Sequence, residues 1–286
     1  MKDYSYEILD LLKQYGGDEQ AVLEAETRTE ILYALSPLRE NLLEWVELGA
    51  DCRVLQIGSD YGSCTGLLAK RAGEVVVIDA LDENLEVNRV RHGKAGNVFY
   101  VSGEISGIPD ERLDVRAYPP GTGEEESVRA RMERPFDAVI LLGMPEGLEK
   151  EAALSRLLAA AAFVKPGGKL LFAAENSMGV RYLMGAVLSQ TGFIWAEFRG
   201  LFEELKERQG GTFSMYYPVP DYRYPVSIYS DGYLPQTGDV TNISARLEQP
   251  GFWFGNEEEA MAKACQNGEF PKFANSFLGV WEKGKS

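Results

Sequence analysis

The 286-residue sequence has few of the residues that build disulfide frameworks and metal centres. Its three cysteines, Cys52, Cys64 and Cys265, are scattered and odd in number, which favours a reducing compartment over a disulfide framework. His92 is the only histidine, so no cluster of metal-ligating side chains can be identified. These shortages predict a site that works without a metal ion.

Basic side chains and long apolar runs are also scarce. Lys and Arg number 29 against 44 Asp and Glu, which gives a net charge of −15. Because nucleic-acid affinity comes largely from cations that neutralise phosphates, we expect no nucleic-acid partner. The longest apolar run, Leu157–Val164, is far shorter than the ~20 residues of a membrane helix, and the chain start has no signal-peptide pattern. We therefore expect a cytoplasmic protein without a membrane span.

Short apolar strands alternate with helices from Arg53 onward. Repeated units of this kind are typical of a parallel sheet with helices on both faces. The sequence therefore predicts an α/β fold with a Rossmann-like, doubly wound, mostly parallel sheet. The predicted strands are Val54–Ile57, Glu74–Ile78, Val98–Ser102, Phe136–Leu142, Lys169–Ala174, Thr212–Tyr217 and Ser276–Glu282.

Three helical patterns precede the sheet, at Tyr4–Tyr15, Glu19–Leu35 and Pro37–Leu48. Ser36 followed by Pro37 is typical of an N-cap with proline at the first helical position. We expect these helices to form an N-terminal extension.

Two segments interrupt the strand–helix rhythm. Gly103–Pro135 is polar and indicates an insertion or a long loop, and Pro218–Phe273 is rich in Tyr, Pro and Gly. The predicted division is a helical extension at 1–50, an α/β domain at 51–217 and 274–286, and an insertion or cap at 218–273.

Four segments follow one another in the order found in a known family. They are the glycine loop Val54–Gly66, the strand Val75–Asp79, the strand Phe136–Leu141 and the Pro-Gly-Gly turn within Phe163–Leu170. Together they resemble class I S-adenosylmethionine-dependent methyltransferases over roughly Arg53–Ala174. The resemblance implies a seven-stranded sheet whose last strand is antiparallel, and S-adenosylmethionine as the cofactor.

The resemblance also implies which residues bind the cofactor. Gly58 and Gly62 would let the loop backbone approach it closely, or would simply form a tight turn. Asp79 would accept two ribose hydroxyls, although it also suits the N-cap of the next helix. Glu104 would lie near the adenine or be an exposed loop acid, and Gly143 would lie at the reacting end.

Two positions depart from the family pattern. Relatives usually carry an acid at the position of Gln56 and a glycine at that of Asp60. Gln56 would hydrogen-bond the cofactor's ammonium without charge assistance. Asp60 tolerates left-handed backbone, so the turn survives, but its carboxylate could attract the cofactor's cations or repel its carboxylate.

Three residues are candidates for the chemistry. Methyl transfer to a hydroxyl benefits from a nearby base, and with one histidine available carboxylates are the better candidates. Glu146 would be a general base or a substrate ligand, or else a first-turn acid favoured by the helix dipole. Glu175 and Asn176 would orient an acceptor hydroxyl. His92 is expected to be a surface residue.

A narrower resemblance suggests the acceptor. It is to bacterial methyltransferases associated with glycosyltransferases of surface-polysaccharide assembly, and implies O-methylation of a sugar or sugar-linked small acceptor. The tyrosines of the C-terminal segment would form a platform for sugar rings, a packed subdomain or an interface. The segments that carry the resemblance are Leu35–Trp45, Ala174–Tyr182, Tyr216–Tyr222 and Phe270–Leu278.

Three functions remain open at this point. The first is an active methyltransferase acting on a small-molecule or glycan acceptor. The second is a degenerate methyltransferase fold that serves as a structural or regulatory partner of another enzyme, such as an active paralogue. A homodimer, or a heteromer with a paralogue, is compatible with each function. The third is a domain whose pocket binds another nucleotide-like ligand.

Overall fold

A computed structural model describes residues 4–105, 115–121, 125–144, 150–186, 192–241 and 254–285. Its strands form one sheet in this part of the chain. In chain order they are β1 (Arg53–Ile57), β2 (Glu74–Asp79), β3 (Val98–Gly103), β4 (Val115–Ala117), β5 (Phe136–Leu142), β6 (Val164–Glu175), β7 (Thr212–Val219), β8 (Ser227–Ser230) and β9 (Ser276–Glu282).

The sheet order is β4-β3-β2-β1-β5-β6-β9-β7-β8. The five strands from β3 to β6 in this order pair in parallel, and β9 lies antiparallel between β6 and β7. The doubly wound α/β fold and the antiparallel last strand are therefore confirmed. The described residues form nine strands rather than the predicted seven, because β4 and β8 extend the two edges.

The helices lie in layers on both sides of this sheet. In chain order they are α1 (Ser5–Gln14), α2 (Glu19–Ala25), α3 (Thr29–Leu35), α4 (Asn41–Glu44), α5 (Thr65–Arg71), α6 (Asp82–His92), α7 (Glu125–Met132), α8 (Lys150–Ala162), α9 (Val180–Leu183), α10 (Trp195–Gln209), α11 (Glu257–Gln266) and α12 (Phe270–Phe273).

Successive strand residues point to opposite faces of the sheet, so the apolar strand residues form a hydrophobic core on each face. Leu55 and Val139 pack on one face with α7, α8 and α10. Val54 and Ile140 pack on the other face with α4, α5 and α6. A third apolar cluster joins α1–α3 to α6 and includes the ring of Tyr61. The N-terminal helices are thereby fixed beside the loop that follows β1.

Two of the predicted helices are shorter than their sequence patterns. The pattern at Glu19–Leu35 is broken because the Glu26 carboxylate accepts hydrogen bonds from the backbone N–H groups of Thr27 and Arg28, both at 2.8 Å. The helix expected from Pro37 begins as a 3-10 turn capped by Ser36, as predicted, and α4 ends at Glu44.

The polar segment Gly103–Pro135, expected to be an insertion or loop, contains regular structure where it is described. β4 pairs with β3, and Val128 and Met132 of α7 are buried in the core. The sequence did not predict these two elements, because β4 has only three residues and α7 has only two buried apolar positions among charged ones.

The Tyr/Pro-rich segment contributes β8 to the sheet edge and buries Tyr222 and Tyr224 against the rest of the chain. Its boundaries as a separate insertion remain a prediction. Among the described residues, the longest helix has 15 residues, and none has the length and apolar character needed to cross a bilayer.

Candidate functional site

The parallel strands bring the ends of distant sequence segments to one edge of the sheet. The register pairs Ile57 with Ile78 and with Leu141, and Leu142 with Ala173. The residues that follow these strands therefore meet at the carboxyl edge, where ligands of open α/β sheets bind. Gly58, Asp79, Glu104, Gly143 and Glu175 all lie there.

The loop after β1 has an unusual backbone. Gly58 has φ 87° and Gly62 φ 81°, and between them Asp60 and Tyr61 have φ 45° and 56°. A Cβ on Gly58 would meet nothing within 4 Å, so this backbone faces open space. A Cβ on Gly62 would lie 3.0 Å from Asn88 and His92. Gly58 thus leaves room for a ligand, whereas Gly62 is required by close packing against α6.

Gln56 supports this loop from inside the protein. Its side chain is fully buried, and Nε2 donates to the carbonyl oxygens of Gly58 at 3.1 Å and Ser59 at 3.3 Å. Its Oε1 accepts a hydrogen bond from Thr65 Oγ1 at 2.8 Å. A carboxylate here would face two carbonyl oxygens with no hydrogen to donate, so glutamine matches this loop. Both amide hydrogens are used within the loop.

Asp79 ties the loop to the start of α6. Its Oδ2 accepts a hydrogen bond from the Ser59 N–H at 2.7 Å, and its Oδ1 accepts one from the Leu81 N–H at 2.9 Å. Burial raises the pKa of Asp79, against the lowering effect of these hydrogen bonds. Leu81, not Asp79, is the N-cap residue of α6. Each carboxylate oxygen can accept more than one hydrogen bond, so ribose hydroxyls are compatible with this arrangement.

Asp60 forms an ion pair with Arg39, which sequence reasoning did not identify as a site residue. Asp60 Oδ2 accepts hydrogen bonds from Arg39 Nη2 and from Ser63 Oγ. The Arg39 side chain is 8% exposed and that of Asp60 28%. In the sequence, Arg39 was marked only by its place in the segment Leu35–Trp45, which carries the narrower resemblance. No local sequence pattern connects Arg39 with the loop after β1.

Tyr222 brings the Tyr/Pro-rich segment to the end of β5. A Cβ on Gly143, which has φ 82°, would lie 2.9 Å from the Tyr222 hydroxyl oxygen. Tyr222 is 8% exposed, and burial raises the pKa of its hydroxyl well above the usual range. This hydroxyl is a neutral hydrogen-bonding group at the carboxyl end of β5.

Glu175 at the end of β6 lies in a buried group of charges. It forms ion pairs with Arg223 and, at 3.6 Å, with Arg181, which also pairs with the fully buried Asp221. Glu175 is 6% exposed, and its Oε2 has no hydrogen-bond partner among the described residues. The carboxylate is held in place by the arginines while one oxygen keeps its accepting capacity.

Asn176, next to Glu175, has a different environment. Its Nδ2 donates to the carbonyl oxygens of Lys272 at 2.8 Å and Ala274 at 2.6 Å, and its Oδ1 accepts a hydrogen bond from the Met178 N–H at 2.9 Å. Both amide hydrogens are used by the backbone, so the visible role of Asn176 is to fix the turn after β6.

Glu104, a predicted cofactor-binding residue, is exposed at the end of β3. The pKa of Arg156 on α8 is lowered by burial and raised by the charges of Glu104 and Asp79. The guanidinium of Arg156 therefore lies near these two acids. Glu146 lies outside the described residues.

His92 is not the surface residue that the sequence suggested. It is half-buried, and its Nε2 lies 2.9 Å from the carbonyl oxygen of Gly62, to which it donates a hydrogen bond. Burial, together with the charge of Arg91, lowers the pKa of His92 to about 4. The expectation was wrong because α6 turns this side chain toward the loop after β1.

Comparisons with known proteins agree with this geometry. No protein-family model matches the chain. A ubiquinone biosynthesis O-methyltransferase of Xylella fastidiosa (strain M23) is 27% identical over 156 residues, which cover 54% of this chain and 55% of that protein. Its counterpart in Saccharophagus degradans is 29% identical over 157 residues, covering 54% and 57%. The chain spans somewhat more than half the length of these curated relatives.

A solved structure supports the same fold. The methyltransferase domain of bacterial CtHen1 superposes with a TM-score of 0.50 at 12% identity, covering 86% of this chain and all of that domain. The chain therefore has the fold of the class I S-adenosylmethionine-dependent methyltransferases.

Proposed function

We propose that the chain transfers a methyl group from S-adenosylmethionine to a hydroxyl oxygen of a small acceptor. The observation that carries the proposal is the loop after β1, where the backbone of Gly58 faces open space beside the Asp79 carboxylate. Left-handed backbone at three successive residues, Asp60 to Gly62, is costly and persists chiefly where structure or function requires it. The similarity to ubiquinone biosynthesis O-methyltransferases favours oxygen as the acceptor atom.

The described residues fit this cofactor along the sheet edge. Asp79 would hold the ribose hydroxyls, Gly58 would allow the backbone to approach, and Glu104 would lie toward the adenine. When bound, S-adenosylmethionine supplies a methyl carbon already activated by its sulfonium. The protein therefore has to align the acceptor oxygen with that carbon and exclude water.

Glu175 and Tyr222 would position the acceptor. Glu175 Oε2 is a buried oxygen without a partner among the described residues, which suits it to accept the hydrogen bond of an acceptor hydroxyl. The hydroxyl of Tyr222 lies against Gly143 at the neighbouring strand end. As the acceptor oxygen is alkylated its proton must leave, and the Glu175 carboxylate would accept it.

A sugar or sugar-linked acceptor, as in surface-polysaccharide assembly, is the finer part of the proposal. An open groove of about 650 Å³ runs beside the segment that carries Tyr222, and its lining includes Trp45, Tyr216 and several Ser, Asn and Glu side chains. The rings of Trp45 and Tyr216 are 4.7 Å apart. Flat apolar faces beside polar groups suit carbohydrate rings.

Ligand-dependent thermal unfolding tests the proposal directly. S-adenosylhomocysteine at about 100 times its dissociation constant should stabilise the protein by about 2.7 kcal/mol. Asp79→Asn should weaken that stabilisation, whereas Asp51→Asn, an exposed change before β1, should not. Transfer of a labelled methyl group to glycan acceptors then tests the reaction itself. The absence of any shift with millimolar ligand would contradict the proposal.

A non-catalytic partner protein is the second candidate. It is favoured by Asp60, which adds a side chain to the loop where relatives have glycine and pairs it with a buried arginine. The same unfolding experiment separates the two, because a chain that only supports another enzyme has no need to bind S-adenosylhomocysteine.

A further inference from the structure

The half of the sheet formed by β6, β9 and β7 has a groove on the face opposite α10. Its volume is about 280 Å³, and the residues that follow α4 lie along one side of it. Trp45 and Tyr216 line this groove and also the open groove of about 650 Å³ that extends to β8. The two grooves therefore adjoin and form one surface, the sheet groove.

The strand register arranges the lining residues in rows across the sheet. Lys169 of β6 is opposite Glu282 of β9, which in turn is opposite Thr212 of β7. Two rows nearer the carboxyl edge, Leu278 of β9 is opposite Tyr216 of β7. The sheet groove thus has a polar row at its far end and an aromatic row closer to the carboxyl edge.

The same face of the sheet leads to the position proposed for the acceptor. Alternate residues of a strand share a face, so Lys169 and Glu175, which are six positions apart on β6, lie on the same side. At ~3.3 Å per residue, these two positions are about 20 Å apart along the strand. A single sugar ring is much shorter than this span, so a monosaccharide at Glu175 would leave most of the sheet groove without a ligand.

The lining combines flat apolar rings with polar side chains that are open to a ligand. Trp45 is 42% exposed, and its ring lies 4.7 Å from the ring of Tyr216. Lys169 and Glu282 are opposite each other, yet no ion pair joins these two described side chains. Thr212, in the same row, is exposed. Sugars have apolar ring faces and hydroxyl edges, so aromatic rings beside donors and acceptors are complementary to them.

The charges around the sheet groove disfavour other occupants. Glu44, Glu47 and Glu282 line it, and Lys169 is the one cation among its described lining residues. Nucleic acid, anionic lipid headgroups and acidic glycans would all meet this negative charge. A second copy of the chain would bring the same acids and a further net charge of −15. The charge pattern therefore favours a neutral ligand that is rich in hydroxyl groups.

We propose that the sheet groove binds a neutral oligosaccharide, and that the sugar positioned by Glu175 for methylation is the end unit of that chain. The inference rests on the proposed function and specifies its acceptor as an oligosaccharide rather than a single sugar. Trp45 and Tyr216 stack against the rings of the chain. The row that contains Glu282 hydrogen-bonds the hydroxyl groups of the far end.

Calorimetry with neutral oligosaccharides of graded length tests the proposal. Linear oligomers of glucose, galactose, mannose and N-acetylglucosamine, from the monosaccharide upward, are first screened on an array. The series that is retained is then titrated against the protein with and without S-adenosylhomocysteine. Affinity should rise with the length of the chain and should change little between low and high salt, because the ligand carries no charge for salt to screen.

Variants of the lining residues show where the chain lies. Trp45→Ala should weaken binding of the longest oligomer about tenfold, because a stacking ring is removed, and Trp45→Phe should restore much of the affinity. Glu282→Gln should weaken long oligomers and leave the monosaccharide unchanged, because only a long chain reaches that row. Tyr6→Ala, which removes an exposed ring from α1, is the control. Unchanged affinity for S-adenosylhomocysteine in each variant reports an intact fold.

The outcomes separate this inference from the proposed function. Equal affinity for the monosaccharide and for every longer oligomer would overturn the inference, because the groove would then hold none of the chain. Retention of no oligomer by a protein that still binds S-adenosylhomocysteine would overturn it as well and leave the proposed function intact. A dimer that Trp45→Ala dissociates, measured by light scattering, would show that a second copy occupies the groove. If oligomers bind with the expected length dependence but S-adenosylhomocysteine does not bind, the proposed function fails and the groove remains a glycan site.

Discussion

At the scale of single residues, the site depends on polar groups used differently from what their types suggest. Gln56 has the position of an acid that would face the ligand, yet it is buried and holds two loop carbonyl groups. Asp60 has the position of a glycine and adopts left-handed backbone, as expected for aspartate. The residue types at these positions predicted that both matter for the site. They did not predict which neighbouring groups each side chain contacts.

His92 provides a prediction about pH. Its pKa is about 4 in the folded protein, against about 6.5 when unfolded, because burial disfavours the charged ring. Between these values the unfolded chain binds more protons, so the contribution of His92 to stability is lost as the pH falls from 6.5 toward 4 and returns as it rises. The full loss is at most about 3 kcal/mol.

The measurement is urea unfolding of the native protein and His92→Gln at pH 7.5 and pH 4.5. Other carboxylates also titrate in this range, so the difference between the two proteins is the informative quantity. We expect the native protein's advantage over the variant to shrink at the lower pH. An advantage that is constant or larger at pH 4.5 would contradict a depressed pKa.

At the scale of secondary-structure elements, α10 and β9 approach each other very closely. A Cβ on Gly279 of β9 would lie 2.2 Å from the ring of Phe202 on α10. Phe202 is fully buried, so its ring has little room to move. The strand was correctly predicted from its apolar residues, but this contact was not predictable, because it joins elements that only the sheet order makes neighbours.

Two glycine-to-alanine changes test this packing as a matched pair. Gly279→Ala should destabilise the protein by about 1–3 kcal/mol, because the new methyl overpacks the core. Gly200→Ala, in α10 with nothing within 4 Å of the new Cβ, should stabilise by about 0.5–1 kcal/mol through helix propensity. Chemical denaturation of both variants measures the difference. If both variants changed the free energy of unfolding by similar amounts in the same direction, close packing at Gly279 would be ruled out as the cause.

At the scale of the whole molecule, a buried charge group joins parts of the chain far apart in sequence. Asp221 of the Tyr/Pro-rich segment pairs with Arg181 of α9, and Arg181 and Arg223 both contact Glu175 of β6. These contacts attach the C-terminal segment to the carboxyl edge of the sheet. They give that segment a structural function in addition to any role in acceptor binding.

Removing one charge from this group should be costly. Asp221 is fully buried, so Asp221→Asn leaves Arg181 without its full counter-charge and should destabilise by about 3–5 kcal/mol. Glu259→Gln, in an exposed pair with Lys263, should leave the stability almost unchanged, because solvent screens that pair. Thermal unfolding of the two variants provides the comparison, and equal effects would mean that the buried group does not stabilise the fold.

Sequence patterns were enough to predict the strand–helix order, the place of the glycine loop and the acid at the end of β2. These features follow from apolar periodicity and turn residues, which act over short stretches of chain. Three contacts became visible only in the folded protein: Asp60 pairs with Arg39, 21 residues earlier, His92 hydrogen-bonds Gly62, and Tyr222 lies over Gly143. Such contacts depend on how the N-terminal helices and the C-terminal segment fold onto the sheet edge, and no local pattern encodes that arrangement.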